Sequence, residues 1–327
     1  MVTTTETGEN AVRPQNAAAG MPRLHAAIFL ALLAVSLVAP FVLYPVFLMK
    51  VLCFALFACA FNLLLGFGGL LSFGHAAYFG AASYLSAHAA KVWGFTPELA
   101  ILTGTLTAAL LGVVFGALAI RRQGIYFAMV TLAFAQMVYF FSLQAPFTGG
   151  EDGIQAVPRG HLFGLISLRS DLTLYFVVLA IVFGGLLVIY RIIHSPFGQV
   201  LKAVRENEPR AVSLGYRVDR YKLAVFTLSA TLAGLAGATK AIVFQLASLT
   251  DVHWTMSGEV VLMTLLGGMG TVFGPIAGAA VIVTMQNYLA TFGAWVTVIQ
   301  GAIFVVAVLL FREGLVGVIS KWVRKPL

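Results

Sequence analysis

RIIHSPFGQVLKAVRENEPRAVSLGYRVDRYK, residues 191–222, is a charged island in a chain that is otherwise apolar. It holds seven of the 20 Lys and Arg (Arg191, Lys202, Arg205, Arg210, Arg217, Arg220 and Lys222), together with Glu206, Glu208 and Asp219. Phe197, Val200, Leu201 and Val204 fall at i, i+3, i+4 and i+7, which predicts a short amphipathic helix. Pro209 suits the first turn of a second helix, where its missing amide has no intrahelical acceptor to lose. Gly215 can supply the left-handed residue that ends it. Two short helices with a charged outer face, held at the mouth of an apolar bundle, read as a docking surface. A solvated loop that only follows the charge asymmetry of membrane proteins is the alternative that composition leaves open.

Outward from the island the chain is oil. Apolar residues make up 60% of it and charged residues 10%, with a mean hydropathy of +0.96, which argues against a soluble globular domain. Apolar stretches of spanning length run near 24–44, 46–65, 70–90, 98–120, 124–144, 171–190 and 223–247. Shorter pieces follow at 257–270 and 275–290, and a last span at 295–311. About 20 apolar residues cross a hydrocarbon core, and backbone groups in lipid must be satisfied within their own segment, so these are helices. The expected fold is an all-α polytopic transmembrane bundle of about 8–10 helices with glycine-broken segments. A polar N-terminus, 1–22, is expected to be disordered and cytoplasmic, and 23–327 to form one transmembrane domain.

With the N-terminus inside and all ten pieces crossing, the inner segments hold 15 of the 20 Lys and Arg, as the positive-inside rule requires. Both termini and the 191–222 loop are then cytoplasmic. The pI of about 9.7 reflects this topology and gives no reason to expect nucleic acid as a partner. Cys53 and Cys59 share one helix, cannot bridge each other and have no metal spacing. Neither GLAGATKA (234–241) nor GGMGTVFG (267–274) sits in the context a nucleotide-binding loop needs, and no catalytic motif is visible. The chain is therefore not expected to be an enzyme or to hold a metal or cofactor.

Two glycine-dense segments stand out, 62–90 and 265–283. Broken segments of this kind line permeation paths in transporters, while small residues such as Gly270, Gly274 and Gly278 also permit close helix packing. His75, Tyr78, Glu259, Gly267, Gly268 and Gly270 are the candidate path residues. Lys240 lies within a span and can extend its stem to an interface; Glu259 can do the same. In the loop 145–170, TGGEDGI offers a tight turn at Gly149, Gly150 and Gly153 beside two carboxylates.

SFGHAAYFGAASY (72–84), GIYFAMVTLAFAQ (124–136), TGGEDGI (148–154), SPFGQVLKAVRENEPRAVSLGYRVDRYKLAVFTLSATLAGLAGA (195–238) and GGMGTVFGPIAGA (267–279) together resemble the LivM-type permeases of branched-chain amino acid ABC importers. The resemblance runs from about residue 45 to 315, and the 195–238 block is its most specific part. It implies a permease in a bacterial inner membrane, surrounded by lipid and paired with a sister LivH-type permease. Two ATPase subunits that bind and hydrolyse the ATP and a periplasmic substrate-binding protein would complete the importer. The loop 196–221 would receive the ATPases through Phe197, Gly198, Lys202, Arg205, Glu206, Asn207, Arg210, Gly215 and Arg220. Leucine, isoleucine and valine are the default cargo, with related small solutes open. An ion-coupled secondary carrier is the alternative; it would carry more acidic residues at helix breaks and would not need the 191–222 platform.

Overall fold

The computed structural model describes residues 21–164, 166–290, 293, 295–310, 314 and 316. The expected disorder of the polar N-terminus falls mostly outside these residues, as do Arg312, Lys321, Arg324 and Lys325. The helices are α1 (Met21–Val38), α2 (Pro45–Asn62), α3 (His75–Lys91), α4 (Pro97–Ala119), α5 (Ile125–Gln144), α6 (Asp171–Ile193), α7 (Pro196–Glu206), α8 (Glu208–Ser213), α9 (Val218–Phe244), α10 (Leu249–Val252), α11 (Trp254–Gly267), α12 (Gly274–Leu289) and α13 (Trp295–Leu310). The protein is an all-α membrane bundle. Two compact units divide it, Met1–Val38, of which α1 is the described part, and Ala39–Leu327.

Among the described residues, Pro45–Phe67, α4, α5, α6 and α9 are long and apolar enough to cross a membrane. The other apolar helices are shorter. α11 has 14 residues and α12 has 16, so at about 1.5 Å per residue each falls short of a hydrocarbon core of about 30 Å. They form an antiparallel hairpin instead. A Cβ on Gly278 would collide with the Met263 carbonyl and stand 2.8 Å from the Gly267 amide nitrogen. A Cβ on Gly267 would collide with the Gly274 carbonyl. The hairpin thus closes backbone against backbone, and only glycine leaves the room.

α4 and α9 meet in the same way along their length. Gly104 faces Ala238, Ala108 faces Gly234, Gly112 faces Ala230 and Gly116 faces Phe226. Four positions spaced by four on α4 are thus matched by an antiparallel series on α9, a small-residue seam that the sequence reading did not single out. α3 packs into the angle between them: the Ser86 hydroxyl donates to Ala238 O at 3.3 Å. At the core of the unit, the His75 Nε2 is 2.8 Å from Ser229 Oγ, and that hydroxyl donates to Ala60 O. Phe61, Tyr78 and Phe226 surround the imidazole.

Both glycine-dense segments are broken, as expected. α2 runs into one wide turn, Leu63–Phe67, after which residues 68–74 are non-helical. The span expected from residue 70 therefore begins only at His75. The second break is 268–273, between α11 and α12. α9 begins at Val218, earlier than the apolar run that announced it at 223, because its first turn is charged: it holds Asp219, Arg220 and Lys222 ahead of the apolar stretch.

Gly278→Ala is expected to cost about 1–3 kcal/mol through overpacking, a loss of several degrees in detergent thermal melts at one scan rate. A Cβ on Gly258, on the partner helix α11, meets nothing within 4 Å, and Gly258→Ala is expected to leave the melt unchanged or raise it, because alanine is the better helix former.

Candidate functional site

The charged island folds as two helices, and each boundary has a visible cause. Ser195 caps α7: its Oγ accepts from the Gly198 amide at 3.3 Å and donates to Ile192 O at 2.7 Å. Pro196 follows in the first turn. Gly198 is buried, and a Cβ there would stand 2.5 Å from Ile192 O, so it serves the tight α6–α7 corner. Asn207 caps α8, with its Oδ1 accepting from the Arg210 amide at 3.0 Å. Gly215 ends α8 at φ +88°; Tyr216 N donates to Ala211 O at 3.2 Å and Gly215 N to Val212 O at 2.9 Å. That pair of bonds is a Schellman stop, which uses a left-handed glycine.

Val204, Ala211 and Val218 form a small buried cluster of the platform's own, with Val200 against it. Leu201 is fully buried beneath α7. Phe197 stacks on Tyr221 with ring centroids 5.5 Å apart. Glu208 accepts from Lys222 at 2.7 Å and from Gln123 at 3.3 Å, which fastens α8 to the start of α9 and to the α4–α5 turn. The outward surface carries Glu206, Arg210, Arg217 and Arg220. Between these charges Val212, Leu214 and Tyr216 are 55%, 70% and 41% exposed. Exposed apolar side chains rimmed by charge are the composition of an interface centre. The sequence reading favoured the charged face of α7 and did not see these three.

Two members of the expected docking set turn inward. Lys202 Nζ lies 5.7 Å from the Phe67 ring centroid. Arg205 Nη1 donates to Gly66 O, at the break after α2. The Gly66 carbonyl is free to accept because the Leu70 amide, which a regular helix would aim at it, bonds Leu64 O at 3.2 Å instead. Asn62, one turn earlier, reaches the other break: its Nδ2 donates to Thr271 O at 2.8 Å and its Oδ1 accepts from Gly270 N at 3.0 Å. The platform, the α2 break and the α11–α12 break therefore meet at one end of the bundle. Asn62 was legible as a polar residue in an apolar span, which must find partners, but no role was given to it.

Of the candidate path residues, Gly270 lies at this junction. Gly267 sits within the α11–α12 contact, and Gly268 in the break holds φ +123°. His75 and Tyr78 are enclosed inside the unit at 0% and 1% exposure. Glu259 is half-buried and accepts from Gln286 on α12 at 3.1 Å. Lys240 does not extend to an interface; both Asp251 carboxylate oxygens meet its Nζ, at 2.5 and 2.6 Å. Apolar recesses of about 410 and 370 Å³ open between α4, α6 and α9 and between α3, α4 and α5, and none of the candidate path residues lines them.

The opposite end is knitted by the 148–157 loop. Gly149, Gly150 and Gly153 all have positive φ. β1 (Ile154–Gln155) pairs antiparallel with β4 (Leu246–Ala247), and a Cβ on Gly153 would collide with Ala247 O. β2 (His161–Leu162) and β3 (Ile166–Ser167) make a second pair. Lys91 Nζ donates to Gln155 O at 2.8 Å, and Arg159 bonds Asp171 at 2.7 Å and Val243 O at 3.0 Å. Glu151 and Asp152 stay exposed. Among the described residues no group of three His, Cys, Asp or Glu could hold a metal ion.

The family of branched-chain amino acid transport system permease components matches residues 43–308. The chain belongs to that family. It is 32% identical over 237 residues to the high-affinity branched-chain amino acid transport permease LivM of Salmonella typhimurium, covering 65% of this chain and 56% of that protein. The Escherichia coli LivM is also 32% identical, over 233 residues. The ribose import permease RbsC of Bacillus subtilis is 28% identical over 195 residues, 55% of this chain and 58% of the relative. The aligned part thus spans little more than half the length of these relatives. No solved structure gives a significant match.

Removing the Asn207 cap (Asn207→Ala) is expected to loosen α8 by about 1 kcal/mol. Hydrogen exchange of a peptide over 207–217 should then speed up roughly fivefold while α9 peptides hold. Unchanged exchange would show that α8 is held by its packing and not by its cap.

Proposed function

We propose that this chain is a permease subunit of an ATP-driven importer in a bacterial inner membrane. The carrying observation is the α7–α8 platform: a self-packed pair of helices, stopped and capped at both ends, that offers Val212, Leu214 and Tyr216 within a ring of charge. A loop that only neutralised a membrane surface would need none of these stops. On this reading the importer has two ATPase subunits, and the platform receives an ATPase through Glu206, Arg210, Leu214 and Arg220. A sister permease of the LivH type completes the path, and a periplasmic binding protein delivers the solute to the 148–157 end. ATP is bound and hydrolysed by the ATPases. Branched-chain amino acids are the proposed cargo on the strength of the LivM similarity. The similarity to a ribose import permease keeps other small solutes open as cargo.

An ion-coupled carrier gains little from the bundle. Asp251 is matched by Lys240 and Glu259 by Gln286, so both carboxylates already have partners. ATP can drive the bundle only if the ATPases hold the platform differently in its two states.

Arg210→Glu combined with Leu214→Asp should leave insertion intact, because both side chains are exposed. A charge left unpaired beneath a docked partner costs roughly 2–5 kcal/mol, so ATPase co-purification from detergent should fall at least tenfold and ATP-dependent uptake with it. Retention of the ATPases with normal uptake would sink the docking role.

Sidedness follows the same reading. In a chain whose two buried native cysteines are replaced by alanine, a cysteine at Ser213 should react with an impermeant thiol reagent only from the cytoplasmic side, and one at Glu151 only from the outside. The reverse pattern would invert the topology.

A further inference from the structure

Two segments that lack regular backbone support are tied to each other and to α7 by two side chains. Asn62 commits its whole carboxamide to the α11–α12 break, through Thr271 O and Gly270 N. One turn further on, the chain leaves the helix at Gly66–Gly69, and Gly69 holds φ +70°. Arg205 crosses this exit. A Cβ on Gly69 would stand 3.0 Å from Arg205 Cγ, and the guanidinium donates to Gly66 O. The two ties nearly touch: a Cβ on Gly66 would stand 2.7 Å from Gly270 N, and one on Gly270 would stand 3.5 Å from Arg205 Nη1.

The chemistry favours a firm joint. A charged donor on an acceptor that the helix has abandoned makes a stronger bond than a neutral pair, and its loss would orphan that carbonyl. The 268–273 break holds a turn of its own, with Thr271 N and Oγ1 donating to Gly268 O at 3.4 and 2.8 Å and Gly274 N donating to Thr271 Oγ1 at 3.0 Å. Asn62 ties that turn as a body to α2. Arg205 belongs to the platform and Asn62 to the bundle, which makes the pair a continuous link between them.

We propose that Arg205 and Asn62 are positioning residues of a mechanical joint, through which displacement of α7 reaches the α2 exit and then the 268–273 break. Arg205 grips the exit and Asn62 carries the movement across to the second segment. This rests on the importer reading above, and it moves Arg205 from the docking surface into the transmission.

The test uses the full complex, this chain co-expressed with its partner subunits and reconstituted in vesicles, and reads solute imported per ATP hydrolysed. Arg205→Ala changes a residue that is exposed in α7, so accumulation in the membrane is expected and is checked first; the variant should keep its ATPase subunits yet lower the import-to-hydrolysis ratio at least tenfold. Arg205→Lys retains a cationic donor and should return the ratio to within threefold of wild type. Asn62→Ala should resemble Arg205→Ala, and the double variant should be no worse than the stronger single, since a joint broken once is broken. If Asn62→Ala does not accumulate, the two Arg205 variants decide the matter. A wild-type ratio in Arg205→Ala overturns the joint, and so does loss of ATPase subunits from it, which would make Arg205 a docking contact. Absence of ATPases from the wild-type complex would instead bring down the importer reading, and the joint with it.

Discussion

A break in a membrane helix frees backbone groups that lipid cannot satisfy. The structure turns on how this chain answers that demand. At the α2 exit the Leu70 amide doubles back to Leu64 O, and the abandoned Gly66 carbonyl is taken by Arg205. At 268–273 the Gly270 amide and Thr271 carbonyl are both taken by Asn62. Each break is therefore completed by a residue from a different segment, so neither can be understood by itself. The same constraint keeps the two breaks adjacent, since Asn62 stands one turn before the first and can bond the second only at close range.

Glycine has two separate uses here, and they should not be merged. At Gly69, Gly215 and Gly270 it permits a left-handed backbone. At Gly104, Gly112, Gly267 and Gly278 it permits contact between backbones. The first use shapes the ends of helices near the platform; the second holds the bundle together where no hydrophobic driving force acts between helices.

Much of the fold was legible in the sequence. The spans expected at 98–120 and 124–144 appear at Pro97–Ala119 and Ile125–Gln144, because an apolar run in lipid has no choice but to satisfy its own backbone. The α7 stripe, the Pro209 start and the Gly215 stop were readable because caps and periodicity are local. What could not be read was partnership. Asn62 and Thr271 are 209 residues apart, and periodicity reports which face is apolar but not which polar atom waits opposite. The exposed Val212, Leu214 and Tyr216 were hidden for a related reason: in so apolar a chain, three more apolar residues carry no contrast. The α4 seam was not read because Gly104, Ala108, Gly112 and Gly116 are spaced through an unbroken apolar span, and nothing local says which helix faces them.

The Lys240–Asp251 pair bears on how the chain is made. Synthesis delivers the lysine first, and its counter-ion follows eleven residues later. A lone lysine at the centre of a span carries an insertion penalty of roughly 2.5–3.5 kcal/mol, and Lys240 lies four residues from the end of α9. Because Asp251 sits in the turn that follows the same helix, the lysine's counter-ion belongs to its own stretch of chain and does not depend on a distant helix finding it. The pairing can therefore form as soon as that helix and its turn are made, before the rest of the bundle has closed around it.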